Sequence, residues 1–316
     1  MYATLSSPDS VTVHFPGVGP KTILSGSRNF NAVREAINSK EYNALLELMD
    51  PTISITNWGQ GSLSVVNGMV HIDNEPLTSP ALSKKVLEMW EAGFTIDPYI
   101  AFNQRMQELT SNRISRVLFP YLKKHSFPLF DDGAFMAYKG LSDNPHKGEE
   151  LSDEKVEKLF KGSPQNPYTS INGTSLSERG YYKDLLFTSD YIDVHSGTVP
   201  QSIGDTITME VRHVNDDPSE GCSTGLHVGS ADYTSNYKVR VLVKVYPIDC
   251  IAVPLDSNFS KIRVSEYTLV EVDHIREEYT SPVYISSYCD GHGDEDEGDY
   301  DGEYDDQDCD EDCGEY

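Results

Sequence analysis

The sequence predicts an α+β protein in four parts, and three observations carry that prediction. The spacing of apolar residues changes from period two to about 3.6 early in the chain, and short strand-like runs return after residue 134. Between them stand helical segments with recognisable caps, and residues 290–316 hold acids in quantity with no Lys or Arg.

The first segment alternates Val11, Val13 and Phe15 with polar neighbours, turns at Pro16-Gly17-Val18-Gly19-Pro20 and resumes at Thr22-Ile23-Leu24, the pattern of a β-hairpin. From Asn29 the period lengthens. Phe30, Val33 and Ile37 make one helical stripe, and Tyr42, Leu45, Leu46 and Met49 make a second that Pro51 stops. Strands are expected at Ile53–Ile55, Leu63–Val66 and Met69–Ile72, the last two joined by Asn67-Gly68, a dipeptide suited to a two-residue hairpin turn. These elements define an N-terminal α+β unit over residues 1–76.

A helical segment over 77–128 follows. Ser79-Pro80 supplies a hydroxyl cap and a proline in the first turn of a helix that carries Leu82, Val86, Leu87, Met89 and Trp90 and ends at Gly93. A second helix runs from Pro98 to about Leu109, and a third from Arg113 to Lys124 contains Pro120, where it either kinks or starts anew. Arg113, Arg116, Lys123 and Lys124 form the one local excess of positive charge, read as a solvated face toward the acidic remainder or as a partner contact.

Asp131-Asp132-Gly133 turns the chain into the aromatic-rich strand Ala134–Gly140, which opens a β-rich domain over 129–280. Residues 141–190 are rich in Ser, Asn, Gly, Pro and charge, with one short helix from Asp153 to Phe160, and read as a surface insertion. Strands are then expected at Thr206–Val211, Gly225–Val228, Val239–Val245, Cys250–Val253, Ile262–Val264 and Tyr267–Val272. Their spacing predicts a compact barrel-like or sandwich domain.

The net charge is −26, and residues 290–316 carry −15 of it, leaving −11 for everything before. So much self-repulsion with so little apolar surface predicts a disordered acidic tail over 281–316, either plainly solubilising or able to dock a basic partner. Nucleic-acid binding is not expected, because phosphate contacts need a basic face. No apolar run approaches the ~18 residues of a bilayer span. Met1–Pro8 lacks the basic start and apolar run of a secretory signal, which predicts a protein that stays in the cytoplasm of the cell that makes it. The five cysteines, 222, 250, 289, 309 and 313, are an odd and scattered set that suits a reducing compartment. Cys309 and Cys313 are spaced like a ligand pair but have no second pair to complete a structural zinc site.

Two short runs are the most informative. Cys222-Ser223-Thr224-Gly225-Leu226-His227-Val228 places a glycine before a strand that turns Leu226 and Val228 one way and His227 the other, so Gly225 should tolerate little side chain and His227 should face away from the local core. Upstream stands Asp193-Val194-His195-Ser196-Gly197-Thr198.

With Asp131–Lys139, His195-Ser196, Gly204, Met209, Val214-Asn215-Asp216-Asp217, Cys222–Val228, Val243–Asp249 and Lys261–Tyr267 in that order, the chain resembles the rIIB rapid-lysis or lysis-inhibitor proteins of T-even-type bacteriophages. Weaker similarity extends the resemblance over roughly residues 10 to 275. The signature positions are Tyr138, Lys139, His195, Ser196, Gly204, Cys222, Ser223, Gly225, Leu226 and His227. This chain departs from the pattern at Val199-Pro200-Gln201-Ser202, where relatives read Phe-Asp-Asn-Ser, and at Met209-Glu210-Val211, where they read Met-Pro-Arg; Arg212 follows one position later. The resemblance implies a phage host-interaction protein that acts with an rIIA-like partner and with host membrane-associated proteins. Lysis timing and prophage exclusion would be its targets, and its place the host cytoplasm or the periphery of the inner membrane.

Two readings of the chemistry stand side by side. In the first, Tyr138, Lys139, His195, Cys222 and His227 build an active or ligand site, with Cys222 and His227 as zinc ligands completed by His195 and Asp193, or with a Cys222 thiolate activated by an imidazole. An aromatic-Lys-Gly strand followed by a Gly-x-His strand is also similar, at fold level, to ADP-ribosyltransferase-like folds, although no catalytic glutamate is placed by motif. In the second, the imidazoles hydrogen-bond turns and strands, Cys222 is simply buried, and the domain binds another protein without catalysis or cofactor. The wide spacing of His195, Cys222 and His227 favours the second.

Overall fold

A computed structural model describes residues 3–109, 111–255 and 259–273. The acidic tail and Cys289, Cys309 and Cys313 lie outside the described residues. The chain begins with a three-stranded antiparallel sheet, β1 (Ala3–Ser6), β2 (Ser10–Phe15) and β3 (Gly19–Leu24), of which the sequence signalled the last two. Helices α1 (Phe30–Asn38) and α2 (Tyr42–Met49) cover it, and Val11, Val13, Phe15, Ile23, Val33 and Leu45 close a small core of their own.

The strand expected at Ile53–Ile55 is instead part of helix α3 (Pro51–Trp58). The Asp50 side chain accepts from Thr52 N at 3.0 Å, and Pro51 occupies the first turn, so the proline that ends α2 also starts a new helix. The hairpin β4 (Leu63–Val66) and β5 (Met69–Ile72) turns at Asn67-Gly68 as expected, and a two-residue strand β6 (Glu75–Pro76) extends it.

Helix α4 (Pro80–Glu91) starts where Ser79 Oγ accepts from Leu82 N at 3.1 Å. Helices α5 (Asp97–Gln107) and α6 (Asn112–Lys124) follow, and α6 runs through Pro120 as one helix. Its Tyr121 hydroxyl donates to Ser260 O at 3.2 Å, and Arg113 donates to Asp216 O, so α6 is fastened to two loops of the β-region.

Among the described residues the remaining strands make one eleven-stranded sheet, every pairing antiparallel, whose path does not close, in place of the barrel or sandwich expected. Its members are β7 (Phe135–Asp143), β8 (Thr169–Ile171), β9 (Thr174–Ser175), β10 (Tyr191–Asp193), β11 (Pro200–Gln201), β12 (Thr206–Met209), β13 (Leu226–Gly229), β14 (Val239–Val245), β15 (Cys250–Ala252), β16 (Lys261–Val264) and β17 (Glu266–Val272). The order is β15-β16-β13-β7-β14-β17-β12-β8-β9, with β10 and β11 branching from β7.

Alternation along β7 and β14 gives the sheet a buried face, with Phe135, Ala137, Leu141, Val241, Val243 and Val245, and a half-exposed face with Tyr138, Arg240, Leu242 and Lys244. Residues 141–190, expected as a surface insertion, contribute more than surface. They hold α7 (Asp153–Lys161), α8 (Arg179–Thr188) and two strands of the sheet, and their Phe160, Ile171, Tyr182 and Leu186 join the main core. That core runs from Ile55 to Leu269, uniting the middle helices with the sheet. Among the described residues no helix is long and apolar enough to cross a membrane.

Candidate functional site

Strand β7 has two different neighbours on one edge. Tyr138 pairs with Gly229 of β13, whereas Leu141, Ser142 and Asp143 pair with Asp193, Ile192 and Tyr191 of β10. Between the two partners, Lys139 and Gly140 have no register partner on that side, and the sheet divides there. Gly140 is required at this place because the ring of Tyr237 lies over it, 2.1 Å from where a Cβ would stand. The Tyr237 hydroxyl reaches to 3.5 Å from His195 Nε2.

His195 is carried by a tight loop after β10. Its frame is the Asp193 carboxylate, which accepts from Ser196 N at 2.8 Å, Ser196 Oγ at 2.7 Å, Thr198 N at 3.2 Å and Val199 N at 2.7 Å. Thr198 is in turn held from below: Tyr182 donates to its carbonyl at 2.6 Å and Asn166 Nδ2 to its hydroxyl at 3.1 Å. The loop is therefore rigid on its inner side while His195 itself is exposed.

His227 enters from β13, where Leu226 and Val228 are buried and His227 faces the other way, as the alternation predicts. The residue as a whole keeps some exposed surface, yet its Nε2 is buried and, among the described residues, has no hydrogen-bond partner. Directly across the ladder are Arg263 opposite His227 and Lys261 opposite Gly229. Arg263 is fully buried and its guanidinium donates to the carbonyls of Asp217 and, at 2.7 Å, Glu220, fixing the loop that leads into β13. Gly225 stands at the end of that loop with φ +150°, and a Cβ there would meet Val214 Cγ1 at 3.0 Å, so the expectation of little room holds.

Lys139 is the unusual member. It occupies a core-facing position between Ala137 and Leu141 and is 8% exposed. Among the described residues it forms no hydrogen bond or ion pair; the ring of Tyr267 lies 5.8 Å from its ammonium. Burial holds its pKa below the ordinary lysine value, with Asp193 acting in the opposite sense. Burial also holds His227 well below the usual histidine value, reinforced by Lys139, Lys261, His195 and Arg263. For His195 the shift is downward too, from burial and then Lys139, with Asp193 opposing.

The charges of Lys139, His195 and His227 act on one another, but the strand register does not gather them into one site: His227, two residues from Gly229, shares the face of Tyr138, and Lys139 faces the core on the other side. Tyr138 lies on the opposite face of β7, under the guanidinium of Arg240 at 5.1 Å. Cys222 is exposed rather than buried as the second reading had it, and among the described residues no three His, Cys, Asp or Glu side chains group as a metal site, so Cys222 and His227 do not share one with His195 and Asp193. Ser196 and Ser223 spend their hydroxyls on Asp193 and on Asn215 and Glu220. Gly204, at φ +94°, makes the turn into β12, and its N–H donates to Leu269 O at 2.9 Å. Arg212 is exposed and pairs with Glu210 at 2.7 Å.

Lys261 and Arg263 were missed as site residues. Their signal was present: two cations at alternate positions of a short apolar strand, where a strand buried on both faces admits charge only for a reason.

The loop after β10, the glycine-led β13 and the cationic β16 all fall in residues 168–277, and these match the family model described as Bacteriophage T4 protein rIIB. Over that segment the chain is similar to the rIIB family. Among curated proteins, Protein rIIB of Enterobacteria phage T4 is 32% identical over 169 residues, covering 52% of this chain and 49% of that protein. The chain therefore spans about half the length of the curated relative it matches. No solved structure matches it.

Proposed function

We propose that this chain is a phage host-interaction protein that acts by binding, together with an rIIA-like partner, on lysis timing and on host or prophage exclusion. The observation that carries the reading is the likeness to rIIB over the segment that holds the signature loops. The use those loops make of their polar atoms supports the non-enzymatic part. Asp193, Ser196, Asn215, Ser223 and Arg263 bond neighbouring backbone and side chains, which is how a protein shapes and stiffens a surface rather than how it readies a nucleophile. Its place of action is the host cytoplasm, where host membrane-associated proteins at the inner face are further partners.

The test is affinity capture of the tagged full chain from infected cells, alongside infections with its gene deleted. Recovery of an rIIA-like phage protein, together with altered lysis timing in the deletion, is the expected outcome. Normal lysis timing and exclusion behaviour in the deletion, with no rIIA-like protein recovered, would reject the reading.

A further inference from the structure

We infer that the groove between α6 and the chain that follows β15 is the docking site of this protein's own acidic C-terminal segment, residues 283–316. The groove itself comes first. Ile114, Val117 and Pro120 of α6 line it together with Val253, Leu255 and Phe259, and it opens a volume of about 380 Å³. Val117, Leu255 and Phe259 keep 38%, 52% and 42% of their surface exposed, so apolar area is gathered in one open place. A patch of that kind, rimmed by polar groups, marks an interaction site.

The rim is basic. From Asn112 to Lys124 the helix carries Arg113, Arg116, Lys123 and Lys124 and neither Asp nor Glu, in a chain whose net charge is −26. Arg113, Arg116 and Lys124 stand on the groove itself. Arg113 is steadied there by the carbonyl of Asp216 and feels the carboxylate of Asp217, while Lys124 lies 5.4 Å from the ring of Phe259. The occupant this chemistry selects is anionic and carries apolar side chains as well.

One segment of the chain has both properties side by side. Val283-Tyr284-Ile285-Ser286-Ser287-Tyr288 supplies apolar and aromatic groups for the floor, and residues 290–316 follow with fifteen acids and no Lys or Arg for the rim. The attachment point is close by. Asp273, which follows β17, is bonded to Arg240, and Arg240 in turn donates to Ala231 O at 3.3 Å. The adjacent Ser230 N donates to Ser260 O at 2.8 Å, the same carbonyl that receives the hydroxyl of Tyr121 on the groove. Residues 274–282 span up to about 30 Å when extended, which brings Val283 to a groove joined to Asp273 by that run of bonds. Because the segment is covalently attached, its concentration at the groove is set by chain length and not by the amount of protein. Any outside partner using the groove must displace it. The inference is independent of the rIIA-like partner, so either can fail alone.

The experiment places a nitroxide on Cys289 of the full chain, with Cys222→Ser, Cys309→Ser and Cys313→Ser removing the other thiols except the buried Cys250. Line broadening is then read at the backbone amides. Selective loss of the signals of α6 and of Val253, Leu255 and Phe259 is expected. It should recede near 1 M NaCl, where screening shortens to about 3 Å. Arg116→Glu combined with Lys124→Glu, both at exposed positions, should fold as the parent does and weaken the attachment by about tenfold, because two attractive contacts become repulsive. A mixture of 15N-labelled chains without nitroxide and unlabelled chains with it should show no broadening, since the contact lies within one molecule. Absence of broadening along α6, broadening unchanged by salt or by the double variant, or equal broadening in the mixture, which would give the groove to a second copy, would overturn the inference.

Discussion

Replacing Asp193 tests whether the signature loop after β10 is held by one carboxylate. That group accepts three backbone N–H donors and one hydroxyl, and two of the donors belong to Thr198 and Val199, which are buried. A hydrogen bond to a charged group contributes about 1.5–3 kcal/mol, and a buried donor left without its partner costs about 1–3 kcal/mol. Water can replace Asp193 at Ser196 but not readily at the buried pair. Asp193→Ala should therefore lower the unfolding free energy by about 3–5 kcal/mol. Asp193→Asn should cost less, about 1–2 kcal/mol, because the oxygen that serves Thr198 and Val199 can remain while an amide N–H2 faces Ser196 N. Urea denaturation followed by circular dichroism, with an unchanged slope, measures both. A loss under 1 kcal/mol for Asp193→Ala, or equal losses for the two variants, would show that the loop is held by something else.

Other expectations concern pH and backbone. Burial raises Asp132, but Lys244, Tyr246 and the Ala134 N–H outweigh it and set its pKa to about 2. A depressed carboxyl pKa contributes stability above its unfolded value near 3.8 that is lost as pH falls toward 2; at 40% side-chain exposure the contribution is about 1 kcal/mol, and Asp132→Asn should flatten the stability profile across that window. Asp249 is the reverse case, raised to about 6 by burial and then by Glu266. Its contribution is full below 3.8 and is lost as pH rises through about 6, so Asp249→Asn should be more stable than the parent by about 1–2 kcal/mol at pH 8 and equal to it at pH 4, read by urea midpoints at the two values. Gly225→Ala should cost about 1–3 kcal/mol in the same assay, from the φ of +150° and the contact with Val214.

Much of the architecture was legible because local chemistry and tertiary structure agree. The β14 strand Val239–Val245, the Asn67-Gly68 turn and the Ser79-Pro80 helix start lie where alternation, turn residues and caps placed them. Ile53–Ile55 misled because two β-branched residues spaced by two satisfy a strand pattern, while the Asp50-Pro51 start that makes them helical precedes them. The stretch 141–190 looked like surface because Phe160, Ile171, Tyr182 and Leu186 are scattered among polar residues, and their common destination becomes visible only when α7 and α8 fold onto the sheet. Alternation predicted that His227 faces away from Leu226 and Val228, but not that its Nε2 would be buried, since that depends on β16 across the ladder. Lys139 stands out in its motif as a candidate, and the pattern Phe135, Ala137, Lys139, Leu141 alone is enough to place it on the buried face. The separation of β10 from β13 along β7 could not, because it joins residues far apart in sequence.

The large sheet ends in strands of two residues at β9 and β11 and three at β15, the last backed by α6. Rows of unsatisfied peptide groups are what invite a foreign strand to add itself, and these borders offer too few to seat one. Even crowded copies of this chain thus have little means of zipping together at the margins of the sheet, and whatever binds there must be recognised by side chains.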